Sequence, residues 1–140
     1  MAGVFLFKIA RTIECVHYAE ASAVVAHWES LSTDECCAAI ERGSEECRRL
    51  GARSWIVDLT RNPGVPTQEA LNWMGTTGVE LARKNGVRAV INVHGDSVLA
   101  SMGSKRWTRS ASEAGLATYD TRTLADALAL AAEVAAGRAG

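Results

Sequence analysis

Three histidines, four cysteines and one proline-punctuated loop carry most of the side chains in this chain that could do chemistry. Nucleophilic catalysis needs a serine or cysteine beside a base that a third group orients. His94 ends an apolar run in "VINVHGDS", next to Asp96 and Ser97, at the edge where open α/β sheets bind ligands. With Met102 these residues make the candidate ligand pocket. Spacing alone does not make a triad, and GxSxG is absent, so no catalytic residue is assigned. His17 and His27 fall in two neighbouring β-rich runs. Cys15, Cys36, Cys37 and Cys47 form no CxxC pair, and no HxxxH spacing occurs, so no metal site is expected. Cys36 and Cys47 lie three helical turns apart and read as small core hydrophobes.

The loop is "DLTRNPGVPT", Asp58 to Thr67. It leaves the apolar run "SWIVDL", crosses two prolines and a glycine, and ends on a threonine where a helix begins. Its prolines lack the N–H groups a phosphate cradle would use. Neither GxxxxGK[ST] nor GxGxxG after a strand is present, and no cofactor is expected. "HGDS" opens a helix, but Asp96 would repel an anion. The loop therefore reads as a partner-facing turn made by Asp58, Arg61, Asn62, Val65 and Thr67, with Thr67 placed to cap the helix. In "SKRWTR", the cations Lys105, Arg106 and Arg109 span about one helical turn around Trp107. They read as a solvated face with Trp107 half buried.

The composition suits these readings. Across 140 residues, 48% are hydrophobic and 22% charged, ordinary proportions for one globular domain covering 1–140. A net charge of −1 supplies no field toward nucleic acid or an acidic membrane. No apolar run reaches the ~18–20 residues of a membrane span. The N-terminal apolar burst has no basic residue before it, so a signal peptide is not expected. A cytoplasmic setting with reduced cysteines follows.

The elements that must position these residues are legible from period and punctuation. Thr12–Tyr18 and Ala23–Trp28 flank "AEAS" and suit a hairpin. "VFLFKI", within 1–10, is a further strand or a lead-in. Ser32 and Glu35 have capping-box spacing before a helix with a stripe of Cys36, Ile40, Gly43, Cys47 and Leu50. "RSWIVDL" is a strand covered on both faces. A second helix follows, in which Gly75 and Gly78 require close packing or a looser turn. "VRAVINV" is a strand, and Asp96 or Ser97 caps a third helix. "ATYDT" and "TLADALALAAEVAA" make a last strand and helix, and 137–140 fray. The order demands an α/β fold with a single mixed β-sheet. An N-terminal antiparallel hairpin is followed by parallel βαβ units, with helices mainly on one face.

From about Glu14 to Ala132 the chain resembles the STAS-like family, the fold of bacterial anti-sigma-factor antagonists, and more narrowly its STAS/SEC14-like branch. The resemblance is carried by "AVVAHWESLSTDECCAAIERG", "RSWIVDLTRNPGVPTQEALNW" and "VRAVINVHGDSVLASMGSKR". It implies a signalling domain in which a serine or threonine starting the helix after the central strand is phosphorylated by a partner kinase. The counterpart is Thr67, flanked by Pro66 and Gln68 where the family has an Asp-Ser-Ser-Gly-like motif. Thr67 is thus either a phosphorylation site or simply an N-cap.

The hairpin adds one more expectation. Neither of its faces is cleanly polar, so something covers the second face: a second copy of the chain, anchored by Trp28 or Tyr18, or the segment Met1–Ala10. Together these readings point to a non-enzymatic regulatory or protein-interaction domain, homodimeric and without nucleic-acid or membrane-span partners. The alternative is a small-ligand or lipid-binding module, as the SEC14-like resemblance implies.

Overall fold

The computed structural model describes residues 1–10, 12–29, 32–62 and 65–138, with Arg106 described by its backbone alone. Among the described residues, one sheet takes its strands in chain order: β1 (Val4–Ile9), β2 (Ile13–Tyr18), β3 (Ala23–Trp28), β4 (Ser54–Asp58), β5 (Ala89–Val93) and β6 (Ala117–Thr121). β1, β2 and β3 pair antiparallel, and β3 to β6 pair parallel. This is the mixed sheet that the alternation of elements demands, and "VFLFKI" is its edge strand.

The parallel strands are joined by α1 (Thr33–Leu50), by α2 (Gln68–Trp73) running through a π-helical segment, Met74–Gly78, into α3 (Val79–Lys84), and by α4 (Val98–Glu113). These helices share one face of the sheet with a large apolar core that includes Ile13, Trp28, Cys36, Trp55, Met74, Val90 and Trp107. α5 (Leu124–Ala135) crosses the other face, where Ala127, Leu128 and Ala131 cover Val25, Ile56 and Ile91. β3, β4 and β5 are therefore apolar on both sides, which is why they read as continuous hydrophobic runs.

Several local expectations resolve here. α1 needs a glycine at 43 because a Cβ there would sit 2.3 Å from the Trp55 ring. Gly75 and Gly78 answer both alternatives at once. The helix widens into the π segment, and a Cβ on Gly75 would stand 2.9 Å from Ser110 Oγ of α4. Ser32 does occupy the N-cap of α1, without a capping hydrogen bond from its own side chain, and the Glu35 carboxylate accepts from the Thr12 hydroxyl. Of the two possible caps of α4, Ser97 is the one, its Oγ accepting from Ala100 N at 3.0 Å. Trp107, expected half buried, is buried.

Of the two coverings expected for the hairpin's second face, the N-terminal one is corrected. Met1–Ala10 does not fold over it, since Val4–Ile9 extends the sheet in plane as β1. Part of that face is covered by α5, against which Tyr18 packs half-buried. Trp28 points to the opposite face and is completely buried, so it offers no anchor to a second copy. The helical cover needed 12 residues that the sequence places farthest from the hairpin, which no local pattern could connect to it.

Candidate functional site

Parallel strands present their C-terminal ends together, and here those ends carry a row of side chains in register. Glu14 pairs with His27, His27 with Asp58, and Asp58 with Val93. His27 Nδ1 lies 2.6 Å from Asp58 Oδ2, with both side chains almost wholly buried. An ionised carboxylate only accepts, so the ring donates from Nδ1, and in the neutral ring Nε2 is left as the acceptor. The other carboxylate oxygen, Asp58 Oδ1, accepts from Thr60 N at 2.9 Å and Thr60 Oγ1 at 2.7 Å. Burial works against the charged form of Asp58, but the hydrogen bonds from His27 and Thr60 outweigh it and hold its pKa below the usual carboxylate range.

The loop that follows is tied down by its own polar residues. Arg61 stands 3.5 Å from Glu29 and 3.9 Å from Glu14, and Asn62 Nδ2 donates to the Glu29 carbonyl at 2.9 Å. Thus Asp58 faces inward, while Arg61 and Asn62 clamp the loop to the ends of β2 and β3. Thr67 is the N-cap of α2: its Oγ1 accepts from Ala70 N at 3.1 Å and lies 2.6 Å from Thr33 Oγ1 at the start of α1. Val65 is an exposed apolar residue of the loop. It packs on α4, 3.1 Å from where a Cβ on Gly103 would be.

That contact brings the loop beside the second group of sequence-derived candidates. His94, Asp96, Ser97 and Met102 do come together, in an open depression of about 410 Å³ that also includes Lys105 and Arg122. Asp96 pairs with Arg122. The His94 ring donates from Nδ1 to the Gly95 carbonyl at 3.2 Å, and among the described residues it bonds no serine or cysteine. The outer surface of α4 is instead apolar at its start: Val98 is 72% exposed, Leu99 57% and Met102 64%. Lys105 and Arg109 continue the exposed side of the same helix.

Enclosed space is small. A cavity beneath the π-helical segment, lined by Ile40, Ser44, Trp55, Met74 and Trp107, holds about 20 Å³, room for one water molecule. All three crossover connections lie on one side and the strand order never reverses, so the sheet has no switch point at which a ligand crevice opens. Burial pushes the thiols of Cys36 and Cys47 up to about 12 and Cys15 higher still, which leaves them protonated and unreactive. Among the described residues no group of three His, Cys, Asp or Glu side chains is placed to hold a metal ion, and no helix is long and apolar enough to cross a membrane.

Sequence reasoning placed His27 only in a hairpin and Asp58 in a partner loop, and so missed their pairing. A signal was present: "AVVAHW" and "SWIVD" are apolar runs each broken near the C-terminal end by one ionisable residue of opposite type. No protein-family model, curated protein or solved structure matches this chain.

Proposed function

We propose that the chain is a non-enzymatic regulatory or protein-interaction domain of the STAS-like type, homodimeric and cytoplasmic, that docks a protein partner on the first turns of α4. One observation carries the reading: Val98, Leu99 and Met102 stand mostly exposed on consecutive turns, with Val65 beside them. Aliphatic and methionine side chains in such a cluster gain by removal from water, at about 25 cal/mol per Å². Lys105 and Arg109 follow on the same helix, so the complementary surface is apolar with an acidic margin. Val65 packs against α4 at Gly103, which places it at the edge of this patch. Phosphorylation of Thr67 would act at the margin of this surface, replacing its bonds to Thr33 and Ala70 with a charged group.

The test is affinity capture from the native host with the wild-type chain and with a Leu99→Asp, Met102→Asp variant. A specific partner held by the wild type and released by the variant, with unchanged circular dichroism, supports the reading. A stoichiometric small-molecule adduct in native mass spectrometry, with capture indifferent to the substitutions, would replace it with the ligand-binding alternative.

A further inference from the structure

An asparagine followed by glycine is the pair at which a side-chain amide is most readily lost. The backbone nitrogen of the second residue attacks the side-chain carbonyl carbon of the first, and glycine puts no side chain in its way. Of Asn62, Asn72, Asn85 and Asn92, Asn85 is the one that precedes a glycine. Asn62 precedes a proline, whose nitrogen has no proton to give up. Asn72 lies inside α2 before Trp73, and Asn92 is completely buried in β5 before Val93.

The fold sets this pair at the C-terminal end of α3. Asn85 is the C-cap, and Gly86, at φ +89°, is the left-handed residue that follows it. The groups that the reaction needs are engaged in the cap. Asn85 Nδ2 donates to the Leu81 carbonyl at 2.8 Å, and Gly86 N donates to the Arg83 carbonyl at 3.2 Å. Val87 N, donating to the Ala82 carbonyl at 3.0 Å, closes the turn. Ring closure also needs Asn85 Cβ and Gly86 N eclipsed about the Cα–C bond, and the Asn85 ψ of 9° holds them well apart. Yet both residues are only half-buried, at the end of a helix of 6 residues. Helix ends are among the first parts of a fold to open.

We propose that Asn85 is a site of spontaneous deamidation that this turn keeps closed, and that it reacts when the C-terminal end of α3 unravels. In the opened turn Gly86 N bonds to Asn85 Cγ, the Cγ–Nδ2 bond breaks, and ammonia leaves with the proton from Gly86 N. Water then opens the resulting succinimide at either carbonyl to give aspartate or isoaspartate, with no change of oxidation state. The cap does not re-form as it was. The product carboxylate has no N–H to donate to the Leu81 carbonyl, and its negative charge is unfavourable at a helix C-terminus. An end that has reacted therefore opens more readily than one that has not. The reaction lies outside the α4 docking surface and does not depend on it.

The test is peptide mapping by mass spectrometry of the full chain after incubation in mildly alkaline buffer, once native and once unfolded in guanidinium chloride. The expected result is aspartate and isoaspartate formed at Asn85, roughly tenfold or more faster in the unfolded chain, and no such product from Asn85→Gln. Equal rates in the two conditions overturn the closing role of the turn. No product at all, or product that accumulates first at Asn62, Asn72 or Asn92, overturns the site. Asn85→Asp, made directly, should unfold at a lower denaturant concentration than the wild type. An unchanged midpoint overturns the loss of the cap.

Discussion

His27 and Asp58 are direct neighbours on adjacent parallel strands, joined at 2.6 Å between Nδ1 and Oδ2. Neither is near the other in sequence, and both are shielded from water, so the pair is tuned by the protein rather than by solvent. Removing one member leaves the other buried without its partner. His27→Ala should therefore destabilise the chain by about 3–5 kcal/mol in urea unfolding. His27→Leu with Asp58→Leu should cost far less than the sum of the two single changes, because no charge is then stranded. Additive losses would show that the two side chains do not act as a unit.

The same pair sets a pH dependence. The folded pKa of Asp58 is depressed, so its contribution is fully present above the unfolded value of about 3.9 and is lost as pH falls through the folded value. Unfolding free energy measured from pH 6 downward should fall in that acid window. Asp58→Asn, compared with the wild type, should flatten this part of the profile.

Gly43→Ala places a methyl group on the six-membered ring of Trp55, which is buried and held between α1 and the sheet. The water-sized cavity beside the indole gives it little room to move. A loss of about 1–3 kcal/mol is expected, with a shift in tryptophan fluorescence. Unchanged stability would mean that the helix, rather than the ring, yields.

Thr67→Ala removes the hydroxyl that closes the first turn of α2. About 1 kcal/mol of stability should be lost, and Thr67→Ser should restore most of it. The comparison separates the capping role from any signalling role, since both variants are read in purified protein.

Leu99→Lys and Met102→Lys lie on the outer side of α4 and touch little of the core. Their stability should stay within about 0.5 kcal/mol of wild type, while partner docking is lost. A large destabilisation would assign these residues to packing.

The amino-acid sequence by itself determined the elements and their order. Apolar runs, capping residues and terminators are local signals, and alternation of strand and helix leaves one economical topology for β3 to β6. It also put Val65 in a partner-facing loop and Met102 in a ligand pocket beside His94, both from their place after a strand end. Tertiary structure alone decided which residues meet. That α5 returns to cover the second face depends on its path after β6, a long-range choice without a local code. Whether His27 faces Asp58 depends on the register of β3 against β4, where a slip of one residue would turn His27 to the opposite face. And within the loop Asp58–Thr67, what Arg61 and Asn62 do was decided in space, because their partners Glu14 and Glu29, in β2 and just past the end of β3, lie more than 30 residues away in sequence.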